Sequence, residues 1–204
     1  MIPNTLIFKF TFLLLISLAT PASAKNILIY GDSLSAAYGM DLDKGWAQLL
    51  ANELENKHTV INASISGETS AGGRARLGIT IDEFKPDLLL LELGANDGLQ
   101  GLPIKNLKDN LDAMIQQALA ADIIVVLGGI SLPASYGPRY IDQFRSVYTS
   151  LANQYQLPFI DFYREDFIST EGYIQEDGLH PTEITQPIVR DMILEFLMNA
   201  KLLE

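Results

Sequence analysis

The chain has 204 residues, with 14 Lys and Arg against 25 Asp and Glu, so its formal net charge is −11 at pH 7. So acidic a surface argues against a nucleic-acid partner. The absence of Cys excludes a cysteine nucleophile, a thiolate metal site and disulfides, and two separated histidines argue against a transition-metal site.

The first 24 residues are predicted to be a secretory signal peptide that is removed. Lys9 precedes an apolar run over residues 10–19, and Ala22-Ser23-Ala24 then supplies the small residues typical of a cleavage site. A membrane anchor is the alternative, but this run is about half as long as the ~20 residues that cross a bilayer. We therefore expect a single domain over residues 25–204, with no stable membrane anchor and a periplasmic or secreted location.

Five continuous apolar runs predict short strands of a parallel sheet that is covered on both faces, over residues 27–30, 59–63, 88–93, 123–127 and 159–161. Helical spacing of apolar residues lies between them, and the predicted helices span residues 46–54, 70–84, 107–119, 141–155 and 185–202. Pro187 suits the first turn of the last helix. Two irregular segments remain, 129–138 and 162–180, and we expect them to line a substrate site.

Strands and helices alternate through the domain, which predicts a three-layer α/β/α sandwich around a five-stranded parallel sheet. Ligands of such sheets bind beyond the carboxyl ends of the strands. Residues that could carry chemistry are therefore to be sought in the turns that follow the strands.

Ser33 is the first candidate, because the first strand ends in Gly31-Asp32-Ser33 and gives way there to a predicted helix. A helix N-cap or a simple turn residue is the alternative role. A hydroxyl at this position faces the cleft, and a backbone N–H at a helix start points toward any anion that forms there. Ser33 is therefore a candidate nucleophile.

Gly67 and Asn96 lie in the turns after the second and third strands, which face the same cleft. The alternative roles are an unusual backbone angle for Gly67 and an Asx turn for Asn96. A glycine N–H approaches a substrate without a Cβ in the way, and an asparagine amide is a neutral donor. Together with the N–H of Ser33 they would supply three donors for an oxyanion.

Only two histidines could serve as a base. His58 lies where a helix leads into the second strand, at the opposite end of the sheet, and is expected to be a surface residue. His180 lies in the long loop after the fifth strand, from which it can fold back over the carboxyl ends. An imidazole can take a proton from a serine hydroxyl and return it to a leaving group.

A carboxylate that accepts the second N–H of such a base fixes its tautomer and stabilises the imidazolium. Asp177 precedes His180 by three residues, and Gly178 permits a tight turn between them. The alternative is that Asp177 lies in a solvated turn. Asp161 and Asp166 are less well placed candidates for the same role.

These residues form blocks that resemble a known family, the SGNH hydrolases, named for their Ser, Gly, Asn and His. The blocks are Gly31-Asp32-Ser33-Leu34, Gly67, Gly94-x-Asn96-Asp97 and Asp177-x-x-His180-Pro181. Longer strings at residues 62–67, 93–99 and 132–137 resemble the periplasmic multifunctional acyl-CoA thioesterase I/lysophospholipase/arylesterase subgroup. The resemblance implies a flavodoxin-like sheet and a monomeric enzyme without a cofactor that cleaves small acyl esters or thioesters, lysophospholipids among them.

The resemblance also implies a role for each matching residue. It makes Ser33 the nucleophile, His180 the base and Asp177 the group that orients the base. The oxyanion would be bound by the N–H groups of Ser33 and Gly67 and by the Asn96 side chain. Asp32 and Asp97 match positions that are mainly structural in the family, and the loop with Pro133 and Tyr136 would border the acyl-chain groove.

Two other functions remain open. One is an esterase of the same mechanism that acts on O-acetylated sugars, which needs a small polar acyl pocket. The other is a catalytically inactive binding protein of the cell envelope, since a fold alone does not determine function. The Gly-x-Ser-x-Gly elbow of the α/β-hydrolases is missing, because Ser35 stands where the second Gly would be.

Overall fold

The computed structural model describes residues 24–162, 167 and 169–204; residues 1–23 of the predicted signal peptide and the candidate Asp166 lie outside them. Five parallel strands form one sheet in the order β2-β1-β3-β4-β5. They are β1 (Asn26–Gly31), β2 (Thr59–Asn62), β3 (Leu88–Glu92), β4 (Ile124–Gly129) and β5 (Phe159–Asp161).

Helices of the described residues cover both faces of the sheet. They are α1 (Trp46–Leu54), α2 (Ser70–Phe84), α3 (Ala95–Leu99), α4 (Ile104–Leu119), α5 (Pro138–Tyr155) and α6 (Gln186–Asn199). Helix α1 packs against α6, whereas α2 packs against α4 and α4 against α5. The predicted α/β sandwich with a five-stranded parallel sheet is confirmed.

The core lies between the sheet and these helices. Residues 27–30 of β1 and residues 88–91 of β3, the two strands nearest the nucleophile turn, have no exposed surface. Burial of these apolar side chains on both faces is the main stabilising term for a domain of this size. In the part of the chain that the structure describes, no helix is both long and apolar enough to cross a membrane.

Three local predictions were wrong. No helix follows β1 directly; the N–H groups of Ser35 and Ala36 both donate to the Asp32 carbonyl, and positive φ angles at Ala37 and Gly39 end the turn. The segment 129–138, predicted to be irregular, contains the end of β4, a 3-10 turn over Ala134–Tyr136 and the start of α5. Helix α3 was missed, because five residues are too few to show a helical period.

The prediction that His58 is a surface residue was also wrong. Its side chain lies at the opposite end of the sheet from the cleft, as expected, but only 7% of the residue is exposed. Its Nδ1 accepts a hydrogen bond from the backbone N–H of Lys25 at 3.2 Å. Burial, together with the charges of Lys25 and Lys57, lowers the pKa of His58 and thereby favours its neutral form.

Candidate active site

His180, in the described segment 169–180 after β5, lies beside Ser33 at the carboxyl end of β1. The Nε2 atom of His180 lies 2.8 Å from Ser33 Oγ, although the two residues are 147 positions apart. On the other side of the ring, Nδ1 lies 2.6 Å from Asp177 Oδ2. The imidazole therefore contacts a hydroxyl through one nitrogen and a carboxylate through the other.

Asp177 binds the backbone of the His180 turn as well as its ring. Its Oδ1 accepts hydrogen bonds from the N–H groups of Leu179 at 2.9 Å and His180 at 3.0 Å. Gly178, which follows Asp177, adopts φ +73°. Partial burial acts to raise the pKa of Asp177, but the hydrogen bonds from the ring and backbone of His180 and from Leu179 outweigh it and leave that pKa lowered. The carboxylate is thus ionised and fixed in position near neutral pH.

Asp161, the other described candidate for this role, lies at the end of β5 and forms an ion pair with Arg145 at 3.0 Å. Because its carboxylate is engaged by a guanidinium on α5, it does not compete with Asp177 for the imidazole.

The three donors expected to bind an oxyanion line one cavity with Ser33 and His180. Gly67 adopts φ +81°, a backbone conformation that residues other than glycine rarely adopt, so a turn of this shape favours glycine there. The Asn96 Nδ2 atom lies 2.9 Å from the Glu68 carbonyl and 3.2 Å from Asp32 Oδ2. Both amide hydrogens therefore have acceptors within the protein, and the bond to Asp32 is the longer one.

The cavity beside Ser33 has a volume of about 240 Å³, and its walls are mostly apolar. Its larger apolar lining residues are Leu34, Leu99, Ile130, Leu132, Pro133 and Leu179. Pro133, which the resemblance implied at the border of an acyl-chain groove, is one of these lining residues. Tyr136, predicted to border the same groove, is not one of the residues that line this cavity; its hydroxyl donates a hydrogen bond to the carbonyl of Leu99, which does line it, at 3.0 Å. An acyl chain would meet hydrocarbon on most sides in this space.

Two buried carboxyl groups lie under the nucleophile turn. Asp32 and Glu92 have no exposed surface, and Ser35 Oγ donates a hydrogen bond to Glu92 Oε2 at 2.7 Å. Burial raises the pKa of Asp32 to about 7, against the hydrogen bonds from Leu34 and Asn96. Burial, and then the charge of Asp32, raises the pKa of Glu92 well above its ordinary value. The two groups therefore retain protons to a higher pH than exposed carboxyls do.

Asp97 has the structural role that the resemblance implied. Its carboxylate accepts hydrogen bonds from the N–H of Ser70 at 2.7 Å and from its hydroxyl at 2.5 Å. Since Ser70 is the first residue of α2 and Asp97 lies in α3, these bonds tie the start of α2 to α3.

Sequence reasoning missed three residues at the site. Glu92 could have been found, because it is an acid within an otherwise apolar strand. Tyr38 stacks on His180 with ring centroids 4.1 Å apart, and Gln175 bonds to the backbone of both loops at the site. Neither has a signal in the sequence, because their positions depend on how two distant loops meet.

An imidazole held between a serine hydroxyl and a carboxylate is the means by which serine hydrolases activate their nucleophile, and the fold and the site together define that class. A cavity at the carboxyl ends of the strands is where enzymes of this architecture bind their ligands. The chain belongs to the GDSL-like Lipase/Acylhydrolase family, whose sequence model matches residues 29–186. It is an acylhydrolase, an enzyme that hydrolyses ester or thioester bonds.

Two relatives are similar to this chain over most of their length. Esterase TesA of Pseudomonas aeruginosa is 45% identical over 178 residues, which cover 86% of this chain and 89% of the relative. Thioesterase 1/protease 1/lysophospholipase L1 of Escherichia coli strain K12 is 38% identical over 188 residues, which cover 92% of this chain and 90% of the relative.

A solved structure has the same fold. It is the psychrotrophic esterase EstA from Pseudoalteromonas sp., inhibited by monoethylphosphonate, with a TM-score of 0.82 and 38% sequence identity. The match covers 86% of this chain and 97% of EstA.

Proposed function

We propose that the chain hydrolyses carboxylic esters and thioesters of apolar acyl groups through a covalent acyl-enzyme on Ser33. The observation that carries this proposal is the series of hydrogen bonds from Ser33 Oγ through the His180 ring to Asp177. Ser33 and His180 line a mostly apolar cavity. This geometry supports a two-step reaction, in which the serine is acylated and water then releases the acyl group.

In the first step, His180 Nε2 takes the proton of Ser33 Oγ as the oxygen attacks the acyl carbonyl carbon. The imidazolium that forms is stabilised by the ionised Asp177 at Nδ1, 2.6 Å away. The same Nε2 proton passes to the leaving alcohol or thiol as the tetrahedral intermediate collapses. In the second step, His180 activates water in the same way, and Ser33 leaves with the proton.

The negative oxygen of each tetrahedral intermediate is assigned to the N–H groups of Ser33 and Gly67 and to the amide of Asn96. These groups line one cavity, and donors fixed before the reaction lower the barrier without reorganisation. Both Asn96 hydrogens have acceptors within the protein, so the amide must give up its bond to Glu68 or to Asp32 when it binds an oxyanion.

The apolar walls of the cavity favour fatty acyl groups, with a lysophospholipid as one substrate of this kind. They argue against an O-acetylated sugar, whose small acyl group would leave most of the hydrocarbon lining unfilled. The relatives named for esterase, thioesterase and lysophospholipase activities support the choice of acyl esters and thioesters.

We also propose that the protein is exported and acts in the periplasm or outside the cell as a monomer, with residues 1–24 removed. The apolar run over residues 10–19 and the small residues before Lys25 support this. Amino-terminal sequencing of the protein from the envelope fraction is expected to begin at Lys25. A terminus at Met1 would contradict the proposal.

The proposed function is tested by replacing Ser33 with Ala. Hydrolysis of a p-nitrophenyl ester is expected to fall by roughly 10³-fold or more, because only the oxyanion donors would then act. Ser64→Ala is the matched control, since the Ser64 hydroxyl has no hydrogen-bond partner among the described residues and its loss is expected to leave the rate unchanged.

Retention of most activity in a contaminant-free Ser33→Ala preparation would contradict the assignment of Ser33 as the nucleophile.

A rate series from acetyl to longer acyl esters, repeated with thioesters, tests which acyl groups the enzyme prefers. Rates that rise with chain length support the apolar cavity, whereas a maximum at acetyl would favour the sugar esterase.

A further inference from the structure

We propose that Tyr38, held in place by Gln175, is a positioning residue for His180 and stabilises the imidazolium that forms during the reaction. This inference rests on the role of His180 proposed above. It assigns a function to an aromatic side chain on the loop after β1.

The first observation is the stacking of the two rings. The Tyr38 and His180 ring centroids are 4.1 Å apart, with an angle of 29° between the ring planes. This stacking places the Tyr38 ring over one face of the imidazole, and Tyr38, which is 48% exposed, also lines the cavity. A cation on the face of an aromatic ring within about 6 Å is attracted by the electron-rich π system.

The second observation is that one side chain ties the two loops together. Gln175 Nε2 donates to the Tyr38 carbonyl at 3.0 Å and to the Pro181 carbonyl at 2.9 Å. The backbone N–H of Gln175 donates to the His180 carbonyl at 2.7 Å. The residue therefore binds the backbone on both sides of the stacked rings.

Gly39, which follows Tyr38, shows how closely the Gln175 side chain packs against the loop after β1. Gly39 adopts φ +77°, and a Cβ placed there would lie 2.7 Å from Gln175 Oε1. The turn after Tyr38 is thus shaped to admit the Gln175 side chain, which makes the relative position of the two loops specific.

The imidazole then has a contact on each of three sides. Ser33 Oγ lies at Nε2, Asp177 at Nδ1 and the Tyr38 ring on one face. Among the residues that the structure describes, its ionisable contacts are Asp177, on its own loop, and Tyr38, on the loop after β1. Asp177 fixes the direction of the ring edge, whereas Tyr38 limits rotation of the ring plane.

The test compares Tyr38→Phe, which keeps an aromatic face, with Tyr38→Leu, which keeps an apolar cover without one. We expect the Phe variant to retain the wild-type kcat and the Leu variant to lose about fivefold to tenfold in kcat with little change in KM. Both are measured on one p-nitrophenyl ester, with active sites counted by a fluorophosphonate. Gln175→Leu is expected to lose kcat in the same direction.

A second readout does not depend on the substrate. The chain has only two histidines, so the His180 ring signals can be assigned by NMR from their loss in His180→Gln. We expect the titration midpoint of His180 to lie about half a pH unit lower in Tyr38→Leu than in Tyr38→Phe, because the imidazolium loses its aromatic face. This measurement remains informative even if Ser33→Ala shows the ester hydrolysis to be misassigned.

Several results would overturn the proposal. Coinciding midpoints in the Phe and Leu variants would exclude stabilisation by the ring. A Leu variant with wild-type kcat, or one changed only in KM, would reduce Tyr38 to a lining residue. Equal losses in the Phe and Leu variants would assign the effect to the hydroxyl, and a Gln175→Leu variant with wild-type kcat would remove Gln175 from the account. Thermal unfolding of each variant verifies that it is folded.

Discussion

Asp177 contacts both the ring and the backbone N–H of His180, so one side chain sets the tautomer and the position of the proposed base. In Asp177→Asn, the amide can keep the backbone contacts but can no longer stabilise an imidazolium. We therefore expect kcat to fall by roughly 10³-fold or more, as loss of the carboxylate does in other triads. The measurement is kcat at saturating ester, with folding verified by circular dichroism.

Asp161→Asn is the matched control at the level of single residues. Its carboxylate pairs with Arg145 on the surface, so its loss is expected to leave kcat close to wild type. Asp166→Asn is measured alongside, because Asp166 was the other candidate from the sequence. A loss of kcat in either variant that equals the loss in Asp177→Asn would contradict the assignment of Asp177.

Much of the site could be predicted from single residues, for a physical reason. Ser33, Gly67 and Asn96 lie in the connections just after three strands, and parallel strands end at one edge of a sheet, so alternation brings these residues to the same edge. Asp177 and His180 share one short turn. Tyr38 and Gln175 could not be predicted, because their contact depends on the path of two loops rather than on any period in the sequence.

Strand β3 shows how an element can carry an energetic cost near a site. Its apolar run contains Glu92, which is fully buried against β1 with one oxygen, Oε1, that has no partner among the described residues. In the unfolded chain Glu92 and Asp32 ionise near pH 4, but in the folded protein both pKa values are raised, that of Asp32 to about 7. The folded state thus binds more protons than the unfolded state between these limits.

This difference gives a predicted pH dependence of stability. The contribution of the two carboxyls is fully present below about pH 4 and is lost as the pH rises through the folded pKa values, by about 1.4 kcal/mol per pH unit for each proton. We expect Glu92→Gln, which removes one titrating group, to flatten the dependence of the unfolding free energy on pH between pH 5 and 8. Urea unfolding at several pH values measures it.

Comparing wild type with Glu92→Gln isolates the contribution of the buried carboxyl pair to the pH dependence of stability. His58 titrates in the same window with the opposite sign, because its lowered pKa makes stability rise with pH, but both proteins carry it. Glu55→Gln, at an exposed position, controls for the change in net charge. Equal slopes in wild type and Glu92→Gln would show that Glu92 does not titrate in this window.

Over the whole molecule, the class of fold could be predicted because buried parallel strands need continuous apolar runs, and each of the five runs became a strand. Periodicity does not determine the strand order β2-β1-β3-β4-β5, which only the resemblance implied. Short elements such as α3 were missed, since Asn96, Asp97 and Gly98 favour turns locally and tertiary contacts decide their conformation.

The central claim, that this acylhydrolase reacts through Ser33, is tested most directly by mapping the site of covalent labelling. The protein is treated with a fluorophosphonate, digested, and the labelled peptide is sequenced by mass spectrometry. We predict one adduct, on Ser33, that is absent from His180→Gln treated for the same time, because the hydroxyl then lacks its base. An adduct on another residue, or equal labelling of Ser33 without His180, would contradict the account.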